Sequence, residues 1–205
     1  HNDPSFVDRM VWRLRTMARA FAEDSNMRPQ DAPIMSPTER RLVVNDWNAT
    51  EANYAYDGGL VAMMEKRAAE NPHHPAITFM EETLTFGQFN TRVNQLARVL
   101  RGHGVGPDVF VGLCMERSIE MVVGLWAVLK AGGAYVPLNT EDPANRVQEI
   151  VGDCKPAVIL TQDAFTSLFD GVETPVMALP KGGRFDPDGD VSNIEHERAF
   201  GDLAY

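Results

Sequence analysis

The fold class this sequence predicts is α/β, with helices flanking a mostly parallel sheet, and three observations predict it. From residue 76 onward, short apolar runs at 109–115, 134–138, 157–161 and 176–179 alternate with segments of helical period, the pattern of parallel strands joined by crossover helices. Val109 to Met115 is almost continuously apolar, as in a strand covered on both faces. The segment after Ser118 is apolar nearly all round, which a helix tolerates only when deeply buried.

In chain order, Phe6, Val7, Met10, Val11, Leu14, Met17, Ala18 and Phe21 recur at helical spacing, with Pro4 at the first helical position and Asp3 as its cap. Residues 22–35 carry no period and read as a linker and domain boundary. Ser36-Pro37-Thr38-Glu39 has capping-box spacing: the serine oxygen accepts from the amide of residue 39 and the glutamate reaches back to the serine amide. A short helix is expected from there to about Trp47. Leu60, Val61, Met64 and Ala68 form a further helical face. Ala76–Met80 and Thr83–Phe86 read as a hairpin. Thr85-Phe86-Gly87-Gln88 is a second capping box, opening a helix with Phe89, Val93, Leu96, Ala97 and Leu100 on its core face. Ser118 caps the buried helix, and Gly132 and Gly133 turn the chain out of it into the strand Ala134–Leu138. Asp142 and Pro143 start another helix. A strand (157–161), a short helix (163–169) and a last strand (176–179) follow. Residues 180–201, polar and rich in Gly, Pro and Asp, read as a mobile surface connection.

Composition narrows the function classes. Of 205 residues, 29 are acidic and 19 basic, for a formal net charge of −10; binding to nucleic acid or an anionic membrane draws on clustered Lys and Arg, so neither partner is expected. Cys114 and Cys154 lack CxxC spacing and read as buried free thiols in a reducing cytoplasm. No apolar run approaches the ~20 residues that cross a bilayer, and residues 1–20 alternate charge with hydrophobe; the expected location is the cytoplasm.

No catalytic, cofactor-binding or metal set is found. His73 and His74 stand in a proline-bounded turn with no further ligand at metal spacing. Gly102-His103-Gly104-Val105-Gly106 follows a helix instead of a strand and reads as a turn, not a dinucleotide fingerprint. Lys181-Gly182-Gly183-Arg184 has no following helix to complete an anion site and reads as a loop. Asn48-Ala49-Thr50 fits a glycosylation pattern that a cytosolic chain never presents. Arg117 and Glu120 read as a surface or interlobe pair. Lys130, at the end of the buried helix, is accounted for by the helix dipole and the unsatisfied carbonyls there.

The run Leu129-Lys130-Ala131-Gly132-Gly133-Ala134-Tyr135-Val136-Pro137-Leu138-Asn139 resembles the second core motif of nonribosomal peptide synthetase adenylation domains, L-K-A-G-x-A-Y-V-P-I-D, with Leu138 and Asn139 as departures. Asn139 replaces the family's acid. Leu84-Thr85-Phe86 with Gln88 and Phe89 is similar to the first core motif, L-T-Y-x-E-L, and Ser36–Arg40 and Trp47–Thr50 match the order of a linker and W-N-x-T turn. Asp202–Tyr205 is similar to the residues that lead into the family's phosphate loop.

The resemblance implies the large subdomain of the adenylate-forming (acyl-CoA synthetase/luciferase-like) fold. It divides the chain into the last helix of a condensation domain (1–22), a linker (23–50) and the incomplete N-terminal part of an adenylation domain (51–205). A whole domain of this kind uses ATP and magnesium to convert an amino acid to aminoacyl-AMP and loads it on a carrier-domain phosphopantetheine thiol. This segment is expected to be scaffold, inactive alone and binding no cofactor, with Thr85, Lys130, Gly132, Gly133, Tyr135, Pro137 and Asn139 as structural motif residues. Its implied partners are the neighbouring condensation, adenylation and carrier domains, and an MbtH-like protein docking at Ala144 and Arg146. The alternatives are an aryl-acid or acyl-CoA ligase and a non-catalytic adenylation-like interaction module.

Overall fold

The computed structural model describes residues 4–52, 59–182, 185, 189–195 and 203–205. Asp3 as a helix cap, and Gly183 and Arg184 of the loop at 181–184, lie outside the described residues. The chain divides into two compact units, residues 1–55 and 56–205.

In the first unit, α1 (Pro4–Glu23) runs twenty residues without interruption. On it, Phe6, Val7, Met10, Val11 and Leu14 are exposed. The expected linker holds a 3₁₀ turn, Pro29–Asp31, braced by Arg28 Nε on Asp31 Oδ2 at 2.8 Å. α2 (Pro37–Arg41) begins as expected, with Ser36 Oγ accepting the Glu39 N–H at 3.0 Å. The return half of that capping box is replaced: Glu39 Oε1 takes Arg13 Nη2 at 2.7 Å. A charged hydrogen bond outweighs a neutral one, and it ties the linker to α1. The helix expected to reach Trp47 changes pitch after Arg41. Residues Leu42–Asp46 form a π turn, closed by Trp47 N–H on Leu42 O at 2.9 Å. Asn48 Nδ2 covers the Val43 and Val44 carbonyls at 2.8 and 3.1 Å and so stops the helix.

The second unit opens with α3 (Gly59–Glu70) and the antiparallel hairpin β1 (Pro75–Phe79) and β2 (Glu82–Thr85), turned at Met80 with φ 52°. α4 (Phe86–Gly102) starts on a complete capping box, Gln88 N–H to Thr85 Oγ1 at 3.3 Å and Thr85 N–H to Gln88 Oε1 at 2.9 Å. β3 (Phe110–Cys114), α5 (Ile119–Ala131), β4 (Ala134–Pro137), α6 (Ala144–Cys154), β5 (Val158–Thr161), a 3₁₀ segment (Asp163–Phe169) and β6 (Val176–Ala178) follow. The sheet is wholly parallel, in the order β4-β3-β5-β6.

Both sheet faces are covered, which is why β3 and β5 lack alternation. Val111, Leu113, Val158 and Leu160 pack with Leu96 and Leu100 of α4 and Val123, Ala127 and Val128 of α5. Cys114 and Ile159 pack on the opposite side with Leu138, Val147, Val151 and Phe169. Burying such side chains is worth about 1.5–3 kcal/mol each, so these two faces decide where the chain goes.

Candidate functional site

The helix-to-strand turn after α5 is built by its two glycines for two different reasons. Gly132 has φ 99°, a left-handed value that favours glycine, and ends the helix. Its N–H donates to Leu129 O at 3.1 Å, and the Gly133 N–H donates to Val128 O at 3.0 Å, the paired bonds of a Schellman motif. Gly133 is there for space. A Cβ on it would lie 2.6 Å from Val105 Cγ1 and 2.9 Å from the Val109 carbonyl oxygen.

Those amides and Arg101 Nε, on Ala131 O at 3.4 Å, take the Val128, Leu129 and Ala131 carbonyls, and the Lys130 ammonium is placed elsewhere. Its side chain is fully buried. Nζ sits 2.7 Å from Glu65 Oε1 of α3 and donates to Asn90 Oδ1 of α4 at 2.9 Å and to Asn193 Oδ1 at 3.1 Å. Burial pushes its pKa below the ordinary lysine value, and the Glu65 carboxylate opposes that shift. The two amide oxygens accept protons from the ammonium, and the Glu65 carboxylate balances its charge as an ion pair.

β4 carries the rest of the motif. The Tyr135 N–H faces away from β3 and donates to Ala204 O at 3.0 Å, with the Tyr135 and Tyr205 rings stacked at 5.8 Å. Leu138 N–H bonds inward to Leu113 O at 2.9 Å, so the alternation turns the nitrogen of Pro137 to the outer edge, where a missing N–H costs the ladder nothing. Asn139 makes its own turn: its side chain accepts the Glu141 N–H at 3.2 Å and donates to Asp142 Oδ1 at 3.0 Å. Ala144 and Arg146 are exposed on the first turn of α6, Arg146 pairing with Glu149 at 3.2 Å. The structure thus brings Gly132, Gly133 and Tyr135 into one turn and edge, while Thr85 caps α4 and Asn139, Ala144 and Arg146 follow β4.

A cleft of about 810 Å³ opens where the chain leaves β3 for β4 on one side and returns as β5 on the other, lined among others by Met80, Arg117, Phe165 and Lys181. Such switch points are where open α/β sheets receive ligands. Gln162 organises it, accepting the Glu116 N–H at 2.9 Å and donating to Ser118 Oγ at 3.4 Å; Ser118 Oγ in turn accepts the Met121 N–H at 3.1 Å. The expected Arg117–Glu120 pair is corrected: Glu120 is buried and its Oε1 accepts the Gly182 N–H at 2.7 Å. The lining does not fit a nucleotide phosphate. Lys181 and Arg117 share the lining with Glu81, Glu82, Glu116, Glu120 and Asp163, and the amides of Met121 and Gly182 are already used. Among the described residues no group of three or more His, Cys, Asp or Glu could hold a metal ion.

Sequence reasoning missed Glu65, Asn90 and Asn193 as partners of Lys130, and Gln162 as the organiser of the cleft. Asn90 and Asn94 did carry a signal, as amides flanking an otherwise apolar helix face. Residues 189–195, read as part of a mobile connection, are instead docked, with Ile194 buried and Asn193 on Lys130.

The sequence model of the AMP-binding enzyme family matches residues 64–193, from α3 to Asn193. The chain belongs to that family. The match spans the residues of the glycine turn, both sheet faces and the Lys130 cluster. Gramicidin S synthase 2 of Aneurinibacillus migulanus is 36% identical over 97% of this chain, which spans 4% of that protein. The nonribosomal peptide synthetase FmoA3, in a form with AMPPNP bound, superposes with a TM-score of 0.69 at 22% identity, over 98% of this chain and 22% of its own. A Mycobacterium tuberculosis fatty acyl CoA synthetase gives 0.60 at 22% identity over 67% and 30%. At such identities the two superpositions speak for the fold. No helix among the described residues is long and apolar enough to cross a membrane.

Proposed function

We propose that this chain works as part of a nonribosomal peptide synthetase, as scaffold of an adenylation domain that activates an amino acid with ATP. The carboxylate attacks the α-phosphate, pyrophosphate leaves, and the aminoacyl group passes to a carrier-domain phosphopantetheine thiol; magnesium offsets the phosphate charge. The described residues supply the sheet and the Lys130 cluster against which the reacting parts assemble. Residues 1–22 are read as the end of a condensation domain and 23–50 as the linker. The exposed apolar residues of α1 support that reading, since an amphipathic helix gains stability by burying its face. The whole synthetase is expected in the cytoplasm. An MbtH-like protein docks on the first turn of α6, where Ala144 and Arg146 are open to contact.

One observation carries the choice of peptide synthetase over acyl-CoA ligase. Residues upstream of the family match are included in the 36% identity to gramicidin S synthase 2, whereas the fatty acyl CoA synthetase covers only 67% of the chain. The test is acid-dependent exchange of pyrophosphate into ATP by the intact polypeptide, over panels of amino, aryl and fatty acids. Exchange with an amino acid is the expected result. Exchange confined to aryl or fatty acids would assign the chain to the other ligases, and none at all would leave the interaction-module reading standing.

A further inference from the structure

β6 forms one edge of the parallel sheet, yet residues 203–205 lie against the opposite edge, beside β4. The two positions are about four strand spacings, roughly 19 Å, apart. What fixes its path is a polar stripe on α4. Residues 90, 94, 98 and 101 recur at intervals of four, four and three, one helix face, and they grip the strap 189–195 largely by its backbone. Asn94 Nδ2 donates to Val191 O at 2.6 Å, Arg98 Nη1 to Ser192 O at 2.9 Å and Arg101 Nη2 to Glu195 O at 3.1 Å. Arg98 Nη2 adds Asp190 Oδ2 at 2.8 Å and Ser192 Oγ at 3.0 Å.

At the centre of the strap one atom collects three donors. Asn193 Oδ1 accepts from Asn90 Nδ2 at 2.9 Å, from Lys130 Nζ at 3.1 Å and from Asn94 Nδ2 at 3.2 Å. Lys130 is meanwhile held by Glu65 and Asn90, so α3, α4, α5 and the strap meet at a buried ammonium. Removing the strap's oxygen leaves a desolvated charge, the buried Asn94 amide and the half-buried Asn90 amide each short of an acceptor, which is costly. The strap is therefore held by what its departure would orphan.

We infer that Lys130 is a positioning residue, a catch that pins the midpoint of the return chain so that residues 203–205 reach the free edge of β4 in register. That edge contact consists of the Tyr135 N–H on Ala204 O at 3.0 Å, the stacked Tyr135 and Tyr205 rings, and the Leu203 N–H on Asp108 Oδ1 at 3.1 Å. The catch acts through the chain, without touching the edge. It requires no assumption about which acid is activated.

Backbone amide exchange, read by nuclear magnetic resonance on the 205-residue chain, tests this at two amides of the same strand region. The Tyr135 amide reports the outer edge. The Leu138 amide, bonded to Leu113 O, reports the sheet itself. Asn193→Ala removes the shared acceptor from an exposed residue and leaves the core intact; the Tyr135 amide and the amides of 190–195 should exchange at least tenfold faster, with Leu138 unchanged. Asn193→Asp keeps an oxygen for all three donors and should restore protection at Tyr135. Lys130→Met should reproduce the Asn193→Ala pattern, and combining the two should add little. Unchanged exchange at Tyr135 in Asn193→Ala would overturn the inference. So would equal acceleration at Tyr135 and Leu138, or failure of Asn193→Asp to restore what Asn193→Ala loses.

Discussion

Replacing Gly133 by alanine isolates close packing from backbone strain, because Gly133 is not among the residues with positive φ while its neighbour Gly132 is. The added methyl would stand 2.6 Å from Val105 Cγ1, 2.9 Å from the Val109 carbonyl oxygen and 3.5 Å from Val128 Cγ1. Neither near neighbour can give way freely. Val105 and Val128 belong to the main core, and the Val109 carbonyl is held by the Ala134 N–H at 2.9 Å, the bond that seats β4 on β3. Relief must come from moving the strand or the valine, and overpacking of this kind costs about 1–3 kcal/mol, occasionally more; contact with a fixed backbone oxygen puts Gly133→Ala at about 3 kcal/mol. For a chain of this size that is a fall in Tm of about 6–12 °C. Gly132→Ala meets nothing closer than 3.7 Å and incurs only the left-handed backbone penalty, about 1–2 kcal/mol. Urea and thermal unfolding followed by circular dichroism should rank Gly133→Ala below Gly132→Ala, and both below wild type. A Gly133→Ala chain within about 0.5 kcal/mol of wild type, an ordinary surface effect, would refute the packing argument for this turn.

Three further outcomes follow from particular contacts. Thr85→Ala removes one half of the α4 capping box and should cost about 1 kcal/mol in chemical denaturation, while Thr85→Ser, which keeps the oxygen, should cost much less. Asn139→Asp replaces an amide donor with a carboxylate 3.0 Å from Asp142 Oδ1; the variant should be less stable than wild type at pH 7, and because two facing carboxylates hold a proton above the free aspartate value, the deficit should close as pH falls toward about 3.9. Burial, helped by the charge of Asp142, pushes the Cys114 thiol up to about 11 from 9.0. Its neutral form is therefore favoured in the fold, and the corresponding stability is present below pH 9 and lost between pH 9 and about 11. In thiol labelling at pH 8, Cys154 should react in the native chain and Cys114 only after denaturant is added; equal rates would contradict this.

What was legible in the sequence was local chemistry with a fixed spacing. Thr85 with Gln88, Ser118 before an apolar helix, the Gly132–Gly133 pair and the apolar runs of β3 and β5 each state their structure within a few residues, and each formed as read. Long-range polar partners were not legible. Ser36 and Glu39 had the spacing of a capping box, but spacing cannot reveal that Arg13, 26 positions upstream, would take the glutamate. Lys130 reads from the sequence as a cation at its own helix terminus, but its ammonium lies among Glu65, Asn90 and Asn193, which stand 65, 40 and 63 positions away. Residues 189–195 have the composition of a loop because they are held through their carbonyls, a grip that leaves little trace in side-chain type. Asn193, the exception, is one polar residue in a polar stretch. Helical and strand periods report burial of apolar faces; a buried ammonium shared by four segments has no period.

On the proposed function this chain is scaffold, and adenylation needs residues other than those described between Pro4 and Tyr205. The most direct measurement is amino-acid-dependent exchange of pyrophosphate into ATP by the isolated 205-residue chain, alongside the intact polypeptide under the same conditions. Exchange by the intact polypeptide and none by the isolated chain is the predicted result; exchange by the isolated chain would contradict the account.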